Sequence, residues 1–380
     1  MEDFIKIALF ILMVIVSYYI GDKIAKHKKF EFLHIRGERF GAIDGLRGYL
    51  AISIFVHHFM LTWVWKNSGH WSRPYEIYFQ NIGIVGVMIF FMITGYLFIS
   101  KIIINKGKIN WKRLYKSRFF RIYPLFLFIL LLITIVIFSQ EAYQKDINLL
   151  NITKEYSKWL IFHGSNIHLH NHTPLIIAGV DWTLKYEWLF YLSLPLIAIF
   201  LYINRWLTLL LIIVGIYIFA QDYKIFAFTT IHLIFFIIGG ITAYLYNKFK
   251  QKAHFLKSKI ISILTLAFLI KVLFSYRDMY QLVPIIAVSL FFIAIAFGNS
   301  MFGFLEKKSS ILLGEISYSI YLLHGFIIYL LFTYFEIIDI KTVTLVEHTL
   351  MLPFLVVLVI FSSTLTYLYI EKPAIEYGRR

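Results

Sequence analysis

Cysteine is absent from the 380 residues. Without a thiol there is no disulfide framework, no thiolate metal site, no iron–sulfur cluster and no cysteine acyl-enzyme. Charge is scarce as well, at 15% of residues, where soluble domains carry about 25%. Also missing are the G-x-S-x-G elbow, the P-loop, H-E-x-x-H and G-x-G-x-x-G, which removes the commonest hydrolase, nucleotide and zinc-protease signatures. No internal repeat is evident, including the inverted repeats frequent in transporters.

What is present in excess is apolar sequence: 60% hydrophobic residues and a mean hydropathy of +0.75. The apolar runs are continuous rather than alternating, which argues for helices and against a transmembrane barrel. Runs bounded by charge, proline or glycine give eleven candidates: Phe4–Ile20, Asp44–Trp63, Gly83–Ile104, Phe119–Ser139, Thr183–Tyr202, Trp206–Ala220, Thr229–Tyr246, Ile260–Phe274, Leu282–Phe297, Leu313–Phe335 and Val346–Ile370. The expected fold is all-α, a polytopic transmembrane bundle of about 10–11 helices. Phe4–Ile20 is too lightly charged at its N-terminus for a cleaved signal peptide and lacks a small-residue cleavage site, so it reads as a retained anchor. Residues 1–43 are expected to form that anchor and a basic linker, and residues 44–380 a membrane-embedded domain.

The formal net charge of +16 could suggest nucleic acid. Its distribution points elsewhere. Alternate loops hold 24 Lys and Arg on one side and 8 on the other, the bias of basic loops retained in the cytoplasm. This predicts a multi-pass protein of the cell membrane, N-terminus outside and C-terminus cytoplasmic, with membrane lipid and not nucleic acid as its surroundings.

Ionisable residues inside apolar spans are costly and are functional candidates by default. Asp44-Gly45-Leu46-Arg47-Gly48 precedes Val56-His57-His58. Arg47 and His58 are eleven residues apart, close to three turns and about 16 Å on one helix face. A snorkelling arginine and a structural histidine are the alternative, and His57 alone reads as structural. Arg118 and Arg121 in Arg118-Phe119-Phe120-Arg121-Ile122-Tyr123-Pro124 stand at i, i+3, a guanidinium face suited to phosphates; contact with lipid phosphates is the blander role. Glu187, within Trp182-Thr183-Leu184-Lys185-Tyr186-Glu187-Trp188-Leu189-Phe190-Tyr191, needs a partner, and Lys185 two residues away faces elsewhere. Ser317, Tyr321 and His324 form one helical stripe. Ser317 suits polar glue between helices, and His324 is a further site candidate. His168, His170 and His172 alternate in the outer loop; a solvated loop fits them better than a metal site, and no metal is expected.

In order, these motifs with Phe90-Phe91-Met92-Ile93-Thr94-Gly95-Tyr96-Leu97 and the closing Glu371-Lys372-Pro373 resemble the acyltransferase-3 family of membrane O-acyltransferases, from about Asp44 to Pro373. Thr94 and Thr183 stand where serine is usual. The resemblance implies transfer of an acetyl or similar acyl group from cytoplasmic acetyl-CoA, or another acyl-CoA, to a hydroxyl of an extracytoplasmic glycan. That acceptor would be O-antigen, capsule, exopolysaccharide or peptidoglycan, free or lipid-linked. It implies His58 and Glu187 as catalytic residues, Arg47, Arg118 and Arg121 as acyl-CoA ligands, and Asp44, Trp182, Tyr191, Ser317 and His324 in support. The competing reading is a transporter or flippase of an anionic or lipid-linked glycan, with the same arginines as substrate clamps.

Overall fold

The computed structural model describes residues 2–34, 41–139, 149–167, 170–203 and 229–380, with isolated positions between 206 and 217. In chain order the helices are α1 Glu2–Ala25, α2 Gly41–Ser68, α3 Ile77–Ile104, α4 Trp111–Phe138, α5 Leu149–Leu160, α6 Trp182–Ile203, α7 Ile231–Phe249, α8 Lys259–Ser275, α9 Leu282–Ala296, α10 Lys308–Glu315, α11 Ser317–Tyr329, α12 Leu345–Leu350, α13 Leu352–Thr366 and α14 Lys372–Arg379. Among the described residues no β-strand forms beyond an isolated bridge between Ile167 and His170.

Among the described residues, eight helical stretches are long and apolar enough to cross a bilayer, so the chain is a multi-pass membrane protein. The expected count of about 10–11 is reduced for two reasons. Trp206–Ala220 lies largely outside the described residues. Helices α8 and α9 form where expected but with 17 and 15 residues, whereas a span takes about 20. By contrast α2, α3 and α4 have 28 residues each.

The described chain divides into two compact units. The first comprises Met1–Gly83, Lys116–Lys185 and Glu306–Arg380. Its centre is α2 laid directly on α10 and α11. A Cβ on Gly48 would sit 2.4 Å from Leu313 Cβ, and one on Gly314 only 1.8 Å from the Asp44 carbonyl oxygen. Small residues at such a crossing let backbones touch where lipid supplies no hydrophobic drive. The expected continuous helix Leu313–Phe335 breaks at Ile316 between α10 and α11, and Ser317 Oγ donates to Gly314 O across the break at 2.7 Å. This bond of Ser317 is local, spanning the break between α10 and α11.

The segment from α5 to α6 departs most from expectation. After α5 the chain turns into the unit instead of remaining in solvent. Trp159, Ile167, Ile176 and Ile177 are fully buried, and Phe162 packs on Tyr123 and Phe126 of α4. Gly325 of α11 rests against the backbone of Ile177. Non-helical backbone is tolerated among membrane helices when protein covers it, and several polar groups here are met. Trp159 Nε1 donates to Ser165 O, Gly164 N–H to Asp181 Oδ2, and Tyr321 Oη to Val180 O, all within 2.8–2.9 Å. His170 is buried against Thr173 and Tyr329, His172 is exposed, and His168 lies outside the described residues.

The second unit comprises Ile84–Tyr115 and Tyr186–Leu305. Its α3 and α7 meet through paired glycines. A Cβ on Gly95 would lie 2.2 Å from Phe236 O, and one on Gly239 2.0 Å from Met92 O. Phe236 stacks on Phe91 and Phe190 beside this crossing.

Candidate functional site

Arg47, Arg118 and Arg121, together with Asp44, line one cavity of ≈ 460 Å³ in the first unit. Helical periodicity accounts for each wall. Asp44 and Arg47 are one turn apart at the start of α2 and 4.0 Å from each other. Arg118 and Arg121 share a face of α4. Lys372, Glu376 and Arg379 share a face of α14, which α4 receives closely: a Cβ on Gly378 would be 2.7 Å from Phe120 Cβ. Glu315 completes the charged lining and accepts from Tyr367 Oη at 3.1 Å. Five cationic side chains thus face three carboxylates in a protein otherwise poor in charge.

The two arginines of the i, i+3 pair differ. Arg121 forms an ion pair with Glu371, whose carboxylate is fully buried and also accepts from Ser319 Oγ at 2.8 Å. Arg121 also lies 5.8 Å from the centre of the Tyr318 ring. Arg118 reaches Ser117 Oγ at 3.4 Å. Sequence reasoning treated the two as equivalent forks and missed Glu371 as a partner, along with Lys372 and Arg379 as cavity residues. The i, i+4, i+7 spacing of Lys372, Glu376 and Arg379 was the available signal.

Eleven residues along α2 from Arg47 stands His58. Its Nδ1 is 2.9 Å from Nε2 of His324 on α11, with the two rings nearly parallel and 5.1 Å apart. His324 is fully buried, and its Nδ1 is 3.0 Å from the Ile320 carbonyl oxygen. Trp71 stacks on His58 at 6.3 Å. His57 is held separately, Nδ1 to Phe79 O at 3.0 Å, with Gly83 flush against its ring. Tyr321 bonds Thr183 Oγ1 at 2.7 Å, tying α11 to the start of α6 next to half-buried Trp182. Sequence spacing placed His58 and His324 on separate helices without pairing them. Ser317, Tyr321 and His324 share a buried stripe, but each has a different partner.

Glu187 belongs to the second unit. It accepts from Tyr191 Oη at 2.8 Å, one turn along α6, so this partner lies on its own helix and not across the bundle. Tyr191 is buried, and its carbonyl accepts from Tyr115 Oη at 3.2 Å.

Outside the membrane helices, burial lifts the Asp181 carboxyl to about 6. Burial holds the His170 imidazole below its ordinary value. The inward-folded loop is therefore a low-polarity setting.

Comparison with known proteins adds three findings. O-acetyltransferase OatA of Staphylococcus aureus strain NCTC 8325 is 26% identical over 368 residues, covering 88% of this chain and 57% of the relative. The chain thus spans little more than half the length of that relative. A putative acetyltransferase, ORF330 of Acidianus two-tailed virus, is 25% identical over 298 residues, covering 74% of this chain and 81% of its own. No solved structure matches. A model of the acyltransferase domain matches residues 40–370, which include the histidine pair and the cavity residues before Lys372, and the chain belongs to the acyltransferase-3 family.

Proposed function

We propose that the protein is a membrane O-acyltransferase that moves an acetyl or similar short acyl group from cytoplasmic acyl-CoA to a hydroxyl of an extracytoplasmic envelope glycan. The observation that carries this is the arrangement along α2 and α11. A phosphate-type cavity lies at one end of α2, and a buried histidine pair lies about 16 Å farther along the same helix. Arg47, Arg118, Lys372 and Arg379 suit the phosphates of CoA, whose charge matches guanidinium forks and ammonium groups. The pantetheine arm would extend from there toward His58. The basic-loop bias supports a cavity on the cytoplasmic side of a bacterial inner membrane.

At the far end, an alcohol must lose its proton to attack a thioester. His58 removes that proton as the oxygen adds to the carbonyl carbon; the C–S bond then breaks, and the CoA sulfur takes the proton back from His58. This acid–base route calls on no metal. Glu187, bonded to Tyr191, is assigned to the acceptor side as a base or an orienter, with Trp182 beside it in sequence.

The test is purified protein with labelled acetyl-CoA and envelope glycan. Release of free CoA with label on the glycan is expected, and His58→Ala should abolish transfer while acetyl-CoA still binds. Substantial glycan acylation by that variant overturns the mechanism. Translocation of glycan without CoA release would favour a flippase. Glu187→Gln keeps the shape and removes the charge; full activity in it would leave Glu187 a structural role only.

A further inference from the structure

The geometry points to His324 as a positioning residue that fixes which nitrogen of His58 reacts; this deepens the assignment of His58 as base and rests on it. The argument starts from the one group with no freedom. A carbonyl oxygen only accepts, so Nδ1 of His324, 3.0 Å from Ile320 O, carries the hydrogen. In a neutral ring its Nε2 is then a bare acceptor. Nδ1 of His58 lies 2.9 Å from that acceptor, so it must be the donor. For two neutral rings the assignment is unique. His58 is protonated on Nδ1 and carries its lone pair on Nε2, the form a general base needs.

The surroundings hold that ring in place. Trp71 lies over one face at 6.3 Å. His57 abuts it edge-on at 5.0 Å, with its own Nδ1 committed to Phe79 O. His57 and His324 are the titratable groups that face His58 at these contacts. Nε2 of His58 is the nitrogen left for substrate, because Nδ1 meets His324. When it takes a proton from the acceptor hydroxyl, the resulting imidazolium still donates from Nδ1 to His324. That acceptor is strengthened in turn by the bond from its other nitrogen to a backbone carbonyl. His324, buried away from solvent, touches no substrate in this scheme. It keeps the base in the productive tautomer and orientation.

The experiment pairs kinetics with tautomer spectroscopy. His324→Phe retains a flat ring but no acceptor, and kcat is expected to fall by about a hundredfold, with KM for acetyl-CoA within about twofold of the starting protein. His324→Gln, whose amide oxygen can accept near the place of Nε2, should recover most of that loss. Nitrogen-15 spectra of histidine-labelled protein in micelles, with His58 identified by its missing signal in His58→Gln, should show the proton on Nδ1. An unimpaired kcat in His324→Phe, or a His58 proton on Nε2 in the unmodified protein, overturns the proposal. The spectrum decides even if the phenylalanine variant fails to fold. His58→Ala run alongside separates the two ideas. Inactive His58→Ala with fully active His324→Phe removes only the positioning role, whereas active His58→Ala removes the base as well.

Discussion

At the scale of single residues, the two arginines at i, i+3 on α4 should behave differently despite identical chemistry. Arg121 neutralises a carboxylate at zero exposure. Removing one member of a buried pair leaves an uncompensated charge, typically at a cost of about 3–5 kcal/mol. Arg121→Ala is therefore expected to lower thermal stability sharply. Arg118→Ala should lower the melting temperature less than Arg121→Ala does and weaken acetyl-CoA binding about tenfold, the magnitude of one lost charge-assisted bond. Titration calorimetry beside a melting curve separates the two, and a melting point that falls equally in both variants would refute the distinction. Asp181 offers a second test. Its folded-state value near 6 exceeds that of an unfolded aspartate, so the folded chain holds more protons between about pH 4 and pH 6. The favourable contribution is present below that window and is lost as the pH rises through 6. Asp181→Asn should flatten the dependence of melting temperature on pH in this window and raise stability at neutral pH. The gain is bounded by about 3 kcal/mol. An unchanged pH profile would rule out the buried carboxyl as its source.

At the scale of elements, the contact of α2 with α10 organises the charged cavity, because Asp44 and Arg47 occupy the turn of α2 that Gly314 meets. A methyl group there would sit 1.8 Å from the Asp44 carbonyl oxygen, so the helices must separate. Gly314→Ala is expected to lower the melting temperature and acetyl-CoA affinity together. Gly41→Ala is the control, since its new Cβ would meet only Glu306 Cγ at an ordinary 3.6 Å. That change should alter stability by less than about 1 kcal/mol. If Gly314→Ala binds acetyl-CoA normally, the crossing does not shape the cavity. The break at Ile316 follows the same economy. It lets α10 lie against α2 while α11 redirects Ser319 toward Glu371 and His324 toward His58.

For the whole molecule, the question is which way the chain threads the membrane. The natural absence of cysteine makes single introduced thiols clean reporters. Tyr75 and Lys307 are both exposed and lie in loops that the overall basic-residue bias assigns to opposite sides of the membrane. In intact cells, a membrane-impermeant thiol reagent should label Tyr75→Cys and reach Lys307→Cys only after the membrane is opened. The reverse pattern would invert the topology and put the charged cavity on the outer side, which no cytoplasmic acyl-CoA could reach.

Composition alone determined that this chain lives in a membrane as helices, because 60% apolar sequence leaves few other ways to satisfy the backbone. Local periodicity was enough to put Arg47 and His58 on one helix face and Arg118 beside Arg121. These are relations within a few turns, where spacing and geometry are the same thing. The partners that matter chemically were not legible. His58 and His324 are 266 residues apart, and Arg121 and Glu371 250; no local pattern links them. Nor could hydropathy tell that the segment after α5 folds inward, since Ile167, Ile176 and Ile177 are as apolar as residues facing lipid. In a membrane protein, lipid-facing and core-facing side chains are drawn from the same set, so apolarity does not say which helix meets which. That choice rests on shape, on glycines such as Gly48 and Gly314 that let backbones touch, and on a few buried polar groups that must find each other. Only the assembled tertiary structure satisfies all of these at once.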